Sequence, residues 1–390
     1  MKMRTGVVLG VVCVLLMSGC ASETGGGLDS AGAAQQRAFP AVYDQVLDWQ
    51  ACDSSFAYAD DLPELFEERG GNAEGLRCAE VTAPLDWEDP QNEDTITLSI
   101  LHLPASGDEP LGTLLSNPGG PGSSGTELAL GLGVNPSFAT VAQHYDLLGF
   151  DPRGIQRSSA VECESESEIL ELVIALCVEN DPLASSMGSA QVARDMELLR
   201  HLMGDDVLNY AGFSYGTVIG ASYATLFPER VGRIMLDSAW PTDWSSALGS
   251  YQQREAVAHS LNQLLAECGT TYAVALCPLD GQKALLETTA DLDGQPLRAT
   301  DGTEVTGTMF SGYLTAALYV LGEMRSDQLT TAGEALAGNQ VAIDEIASSM
   351  SSGGAAVGAS GMLVRCLSAP LNTNLAGVYH YIEAQGLPEL

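Results

Sequence analysis

Between residues 77 and 237, short apolar runs alternate with segments whose apolar residues have helical spacing. The runs C-A-E-V-T-A-P, T-I-T-L-S-I-L-H-L, L-G-T-L-L-S, Y-D-L-L-G-F, V-L-N-Y-A-G and R-I-M-L-D are typical of strands. Residues 190–203 carry Val192, Met196, Leu199 and Met203 at helical spacing, and T-V-I-G-A-S-Y-A-T-L-F predicts a second helix. Strands alternating with helices predict an α/β fold with a largely parallel sheet and helices on both faces.

The pattern is mainly helical on either side of this region. Upstream, helical patches lie around residues 42–50 and 62–69. Downstream, residues 251–268, 282–292 and 309–336 predict helices and no obvious new parallel strand. We therefore predict a core over residues 41–240, a helical insertion over 241–361 and a return to the core over 362–390. Residues 350–361 are rich in Gly and Ser, which predicts a loop at the exit of the insertion.

The N-terminus has the organisation of an export signal. M-K-M-R is followed by an apolar run and S-G-C, so residues 1–19 are predicted to be a signal peptide. M-S-G-C also resembles a bacterial lipobox, which predicts lipidation of Cys20, with ordinary cleavage nearby as the alternative. Residues 20–40 are then predicted to be a flexible tether between the membrane and a globular body.

Composition narrows the classes of partner. The chain has 390 residues and a formal charge of −35, which counts against nucleic-acid binding because that requires a basic surface. Such acidity is typical of an exported soluble surface, and the alternative is an acidic cleft that attracts amine-bearing substrates. No P-loop or dinucleotide-binding motif is present, so no cofactor is predicted.

The chain has nine cysteines, and the predicted export signal places them in an oxidising compartment, where pairing is expected. Cys13 lies in the signal and Cys20 is the predicted lipid site, which leaves seven. No C-x-x-C pair or His-rich cluster accompanies them, so no metal site is expected. Local spacing instead predicts three disulfides, with Cys366 left over. The predicted pairs are Cys52 with Cys78, Cys163 with Cys177, and Cys268 with Cys277.

Two glycine-rich motifs carry the chemistry. Gly212, Ser214 and Gly216 fit G-x-S-x-G between a predicted strand and a predicted helix, which is the context of a serine nucleophile on a strained turn. The two glycines leave room for that turn. S-N-P-G-G-P-G-S-S-G follows another predicted strand and can direct backbone N–H groups at a developing oxyanion. The second donor is the N–H of the residue after the nucleophile, Tyr215.

These motifs also carry a family resemblance. N-P-G-G-P-G, G-F-D-P-R-G and G-F-S-Y-G occur in this order, and the chain resembles the exported tripeptidyl aminopeptidases of actinobacteria over residues 49–366. The resemblance implies an α/β-hydrolase fold with a helical lid insertion and a serine peptidase that removes short peptides from free N-termini. By matching position, Ser214 is the nucleophile, and the N–H groups of Gly120 and Tyr215 form the oxyanion hole. Asp151 and Arg153 match D-P-R-G and are interpreted as a structural turn beside the site, with a substrate-facing role as the alternative.

The acid and the base of a triad are harder to find. In this fold both follow the serine, in the order acid and then histidine. Three of the five histidines precede Ser214, one lies in the first lid helix and one in a helical pattern near the C-terminus. They are His102, His144, His201, His259 and His380. Asp237, at the end of the strand after the elbow, could serve as an acid in a rarer arrangement.

We therefore expect that the C-terminal strands of the fold, with the triad acid and base, are missing from this chain. The unpaired Cys366 and the Leu367–Ser368 sequence after it, where the family often has an acidic residue, point the same way. The leading hypothesis is an envelope-anchored peptidase-type hydrolase with impaired turnover. The alternatives are an esterase acting on small acyl substrates and a non-catalytic lipoprotein that binds peptides.

Overall fold

Six strands form one sheet in the computed structural model. The structure describes residues 30–163, 170–241, 244, 246–272, 274–320, 322–351, 358–368, 377, 379–381 and 384. The strands are β1 (Arg77–Pro84), β2 (Thr95–Leu103), β3 (Thr113–Asn117), β4 (Asp146–Phe150), β5 (Leu208–Phe213) and β6 (Val231–Asp237). Their order is β1-β2-β4-β3-β5-β6, with β1 and β2 antiparallel at one edge and β4, β3, β5 and β6 parallel. The predicted α/β sheet is confirmed.

The helices cover both faces of this sheet. Those up to the strand β6 are α1 (Ala31–Ala38), α2 (Pro40–Tyr43), α3 (Leu62–Glu68), α4 (Gly125–Val134), α5 (Ala139–His144), α6 (Leu170–Asn180), α7 (Ser189–Leu202) and α8 (Gly216–Leu226). Side chains alternate along a strand, so consecutive residues enter different cores. Leu147 packs in a cluster with Leu132 of α4, whereas Leu148 joins the cluster that contains Val192 of α7 and Ile219 of α8.

The insertion has a core of its own. It contains α9 (Ala247–Glu267), α10 (Gly281–Gly294), β7 (Leu297–Arg298), β8 (Glu304–Val305), α11 (Gly307–Ala316), α12 (Glu323–Leu336) and α13 (Gln340–Ser351). Leu264, Phe310, Leu329 and Ile346 pack together in it. The segment 309–336, predicted to be mainly helical, contains two helices, since α11 ends at Ala316 and α12 begins at Glu323.

The exit of the insertion differs from the prediction. Residues 350–351 belong to α13, and residues 358–361 begin α14 (Gly358–Leu367), so the expected loop is helical at both of its described ends. The predicted boundary at residue 361 therefore falls inside a helix. Leu363 and Val364 are almost completely buried in the main core. This burial stabilises helix α14, although the Gly and Ser residues at its start disfavour a helix.

The prediction of a flexible tether over residues 20–40 is wrong from Ser30 onward. Residues 31–38 form α1, with the Ser30 hydroxyl accepting a hydrogen bond from the N–H of Ala33. Gln35 is buried, and its amide donates to the hydroxyl of Tyr43 at 2.9 Å and to the carbonyl of Arg194 at 3.0 Å. These contacts hold α1 against α7. The sequence of residues 31–38 is low in hydrophobicity and therefore did not indicate this packing. The predicted signal and Cys20 lie outside the described residues.

The structure contains the three expected disulfides. Cys52 is bonded to Cys78, Cys163 to Cys177, and Cys268 to Cys277, while Cys366 is free and exposed. Disulfides of this kind persist in oxidising compartments and indicate an extracytoplasmic protein. Within the described ranges, no helix is both long and apolar enough to cross a membrane.

Candidate active site

Ser214 occupies a strained turn between β5 and α8. Its φ is +52°, in the left-handed region that side-chain-bearing residues rarely adopt, and its N–H donates to the carbonyl of Asp237 at 3.0 Å. A Cβ on Gly212 would lie 2.5 Å from the carbonyl oxygen of Gly216, and one on Gly216 would lie 2.6 Å from the carbonyl oxygen of Asn117. Only glycine fits at either position, so the sequence G-F-S-Y-G forms the sharp strand–turn–helix that the motif predicts.

Buried hydroxyl groups hold this turn in place. The hydroxyl of Tyr210, which is completely buried, donates to the carbonyl of Gly216 at 2.8 Å. The side chain of Thr217 donates to the carbonyl of Ser214 at 2.6 Å. Burial raises the pKa of Tyr210 well above its usual value, so this hydroxyl remains a donor at any physiological pH. The strained backbone at Ser214 is thus held in place by Tyr210 of β5 and by Thr217 of α8.

The glycine-rich loop at residues 117–122 lies against the turn. Asn117 is the last residue of β3 and pairs with Gly212 of β5, so the loop begins beside the turn. The side-chain oxygen of Asn117 accepts the N–H of Gly119 at 2.9 Å. A Cβ on Gly119, whose φ is +94°, would lie 2.8 Å from the backbone nitrogen of Tyr215 and 3.1 Å from Cβ of Ser214. The absence of a side chain at Gly119 is what allows this close approach.

Two backbone amides remain available near Ser214. Neither the N–H of Gly120 nor that of Tyr215 donates a hydrogen bond to another described residue. Buried N–H groups normally have a partner, and Tyr215 is buried, so its unused N–H favours a ligand, whereas Gly120 is exposed and its N–H is open to solvent. One of these N–H groups lies on the glycine-rich loop, directly after Gly119, and the other directly follows Ser214; the predicted oxyanion hole requires one donor from each of these two segments.

A cleft borders this loop. Its volume is about 340 Å³, and it is lined by Gly122, by residues 154–156 and 160–163, and by Ala359 and Ser360 of α14. The cleft therefore lies between the glycine-rich loop, the segment after β4 and the first turn of α14. Gly122 is the residue of the glycine-rich loop that lines this cleft, and Ser214, Gly120 and Tyr215 do not line it.

Asp151 and Arg153 hold the segment beside the site. Both are completely buried. Asp151 accepts hydrogen bonds from the hydroxyl of Ser124 at 2.5 Å and from the N–H of Arg157 at 3.2 Å. Arg153 makes a bidentate pair with Asp195, with Nε–Oδ2 at 2.7 Å and Nη2–Oδ1 at 2.6 Å. Complete burial means that neither is available to a substrate, which agrees with the structural interpretation of D-P-R-G.

Sequence reasoning missed Asp195. It lies on α7, between residues that face the core, and its carboxylate also accepts the indole N–H of Trp87 at 2.8 Å. A signal was present, because Asp195 is three residues after Val192 and four before Leu199 and therefore lies on the apolar stripe of the helix. A carboxylate on such a stripe is buried and needs a partner.

None of the described histidines makes a hydrogen bond to Ser214. His102 lies beside Asp146 and 5.4 Å from the ring of Trp49, and His201 contacts the ring of Tyr43. His144 is the last residue of α5. His259, on α9, and His380 are exposed. The carboxylate of Asp237 is also exposed and accepts only from the hydroxyl of Ser238, at 2.8 Å, within the described part of the chain.

The contact between His102 and Asp146 predicts a pH-dependent stability. Nε2 of His102 lies 3.4 Å from Oδ2 of Asp146 and lowers the pKa of that carboxyl, with burial acting in the opposite direction. A lowered pKa in the folded state contributes stability above the unfolded pKa of about 3.9, and this contribution is lost as the pH falls through the folded value. We expect Asp146→Asn to lower the urea midpoint at pH 5.5 and to have less effect at pH 3.

The control for this prediction is Asp108→Asn. Asp108 is exposed in the loop after β2, so its replacement is expected to change the midpoint little at either pH. An equal loss for Asp146→Asn at both pH values would show that the carboxylate acts through packing and not through its charge.

Comparison with known proteins agrees with the fold. The family model for the alpha/beta hydrolase fold matches residues 112–271. The serine protease Hip1 of Mycobacterium tuberculosis is 33% identical over 239 residues, covering 54% of this chain and 44% of that protein. The tripeptidyl aminopeptidase of Streptomyces lividans is 31% identical over 224 residues, covering 49% and 38%. Carboxylesterase B of M. tuberculosis is 29% identical over 298 residues, covering 69% and 54%.

The chain thus spans about half the length of the curated relatives that it matches. The region matched by the family model, residues 112–271, contains the glycine-rich loop, Ser214 and the start of the insertion. The protein therefore has the α/β-hydrolase fold and is similar in sequence to the serine protease Hip1 of M. tuberculosis and to the tripeptidyl aminopeptidase of S. lividans.

Proposed function

We propose that this protein is an exported serine hydrolase of the tripeptidyl aminopeptidase type, with Ser214 as its nucleophile. The observation that carries the proposal is the contact between the glycine-rich loop and the Ser214 turn, with Gly119 against Ser214 and Tyr215 and with the buried N–H of Tyr215 unused. In this mechanism, Oγ of Ser214 attacks the scissile carbonyl, and the N–H groups of Gly120 and Tyr215 stabilise the resulting oxyanion.

The proposed substrate class is based on the similar proteins and on the net charge of the chain. Two of the relatives are a serine protease and a tripeptidyl aminopeptidase, which supports a peptide substrate. A formal charge of −35 favours the approach of a free, positively charged N-terminus over that of an anionic substrate. The same proposal includes attachment to the membrane through a lipidated Cys20.

We expect the 390-residue chain to hydrolyse peptide substrates slowly. A serine hydroxyl is a weak nucleophile unless a base accepts its proton, and no described histidine contacts Ser214. The oxyanion amides alone still accelerate attack on an activated electrophile, since they act on the developing charge. The chain is therefore expected to react slowly with a fluorophosphonate and to hydrolyse tripeptide anilides poorly.

The first test is labelling by a fluorophosphonate. We expect slow labelling of the full chain and complete loss of labelling in Ser214→Ala, because the hydroxyl that forms the bond is removed. Ser222→Ala is the matched control, since Ser222 lies on α8, the helix that follows the Ser214 turn, and its hydroxyl donates to the carbonyl of Val218 in the same helix at 2.8 Å. Equal labelling of Ser214→Ala and the wild type would assign the nucleophile to another residue.

Hydrolysis of an alanyl tripeptide p-nitroanilide tests the expected low turnover. The tripeptidyl aminopeptidase of S. lividans provides the positive control. Turnover by this chain at a comparable rate would mean that an effective base reaches Ser214, and that expectation would then be wrong.

An esterase is the second candidate function. It is favoured by the similarity to carboxylesterase B, which extends over 69% of this chain, and by the fact that an oxyanion hole serves any acyl transfer. Parallel assays with p-nitrophenyl acetate and the tripeptide anilide separate the two functions. Ser214-dependent hydrolysis of the ester together with no cleavage of the anilide at any enzyme concentration would favour the esterase.

A further inference from the structure

The side chain of Tyr215 is buried at a junction of three helices. Tyr215 precedes α8, its exposed fraction is 3%, and its ring lies 5.3 Å from that of Trp244. Its hydroxyl lies 2.8 Å from Oγ of Ser189, the first residue of α7. Oγ of Ser189 lies 2.7 Å from Oγ of Ser368, which directly follows α14. The residue that provides one oxyanion amide is therefore connected through its side chain to α7 and to the end of α14.

The direction of these hydrogen bonds follows from the last acceptor. Oγ of Ser368 donates to the carbonyl of Val364 at 2.5 Å and accepts the N–H of Ser189 at 3.0 Å. Its single hydrogen is thus used, so the hydroxyl of Ser189 must donate to Ser368. The hydrogen of Ser189 is then used as well, and the hydroxyl of Tyr215 must donate to Ser189. Burial raises the pKa of Tyr215 to about 12, which keeps this donor protonated.

Resting on the proposed function, we infer that Ser189 and Ser368 are positioning residues, which fix the side chain of Tyr215 and thereby aim its backbone N–H at the oxyanion. Thr217 holds the carbonyl of Ser214, which belongs to the same peptide unit as the N–H of Tyr215. The hydrogen bond to Ser189 adds a second restraint through the side chain of Tyr215, where Trp244 contacts only the ring. A chain of charge-free hydrogen bonds inside a buried site is directional, and small displacements of an oxyanion donor reduce its effect strongly. The geometry also makes the end of α14 part of the support of the active site, although it lies far from Ser214 in sequence.

The main experiment measures the kinetics of fluorophosphonate labelling on the full chain. Ser189→Ala and Ser368→Ala are each expected to lower the first-order labelling rate constant by about 10-fold, with little change in the half-saturating probe concentration. Ser368→Thr keeps a hydroxyl at the same place and is expected to recover most of the rate. The matched control is Ser222→Ala. The hydroxyl of Ser222, like that of Ser368, donates to the carbonyl four residues earlier. Unchanged rate constants in both alanine variants would overturn the inference.

A second measurement does not depend on reactivity. In the chain labelled with ¹⁵N-tyrosine, the amide resonance of Tyr215 is assigned by its loss in Tyr215→Phe. Ser189→Ala and Ser368→Ala are expected to shift this resonance, and Ser222→Ala is expected to leave it in place. If the wild-type chain is not labelled at all, the proposed function fails, while a shift of this resonance still supports the positioning role. An unmoved resonance in both variants would refute that role.

Discussion

Replacing Asp195 with alanine is expected to lower the free energy of unfolding by roughly 3–5 kcal/mol, because it leaves Arg153 buried with an uncompensated charge. Both side chains have no exposure, and the pair is bidentate, at 2.6 and 2.7 Å. The same substitution removes the acceptor of the Trp87 indole N–H. Urea unfolding followed by far-UV circular dichroism measures the loss, and a chain that fails to accumulate when expressed would agree with its upper range.

A control and a reversal test sharpen this prediction. Asp327→Ala removes an exposed aspartate from α12 and is expected to change stability by less than about 0.5 kcal/mol. The double substitution Arg153→Met with Asp195→Leu removes both charges. It is expected to recover part of the free energy of unfolding that Asp195→Ala loses. Recovery stays incomplete, because Arg153 also donates to the carbonyls of Pro84 and Leu85. A loss below about 1 kcal/mol for Asp195→Ala would mean that water reaches Arg153 in the folded state.

The predictable part of the fold followed local patterns. The six strands were visible as apolar runs, and consecutive residues such as Leu147 and Leu148 enter opposite cores as strand geometry requires. Helix α1 was missed because its stabilisation comes from a tertiary contact, the buried Gln35 amide between Tyr43 and Arg194, and not from an apolar stripe. Sequence periodicity does not report a contact between residues 159 positions apart.

The same limit explains which parts of the site were predicted. Ser214, Gly120 and Tyr215 belong to contiguous motifs whose spacing is fixed by the turn geometry that they serve. Ser189 and Ser368 are separated by 179 positions and belong to no motif, so their hydroxyls meet only because the fold brings the start of α7 to the end of α14. Asp195 is intermediate, since its place on an apolar stripe was visible in the sequence although its partner was not.

Replacing Gly119 with alanine is expected to lower the labelling rate of Ser214 by about 100-fold or more, the size of effect found when one oxyanion donor is lost. A Cβ at this position would lie 2.5 Å from the carbonyl oxygen of Phe213 and 2.8 Å from the nitrogen of Tyr215, both of them backbone atoms that cannot rotate away. The φ of +94° adds strain for any residue other than glycine. The glycine-rich loop must therefore withdraw from the turn and carry the amide of Gly120 away from Ser214.

Gly131→Ala is the matched control for this substitution. Gly131 lies on α4, where a Cβ would meet no atom within 4 Å, so alanine there is expected to leave the rate unchanged and to stabilise the helix slightly. Comparing labelling rates at equal folded fractions separates the loss of oxyanion geometry from simple unfolding. If Gly119→Ala is folded and labels at the wild-type rate, the loop does not contribute to the reactivity of Ser214, and the contact on which the proposed function rests has no catalytic role.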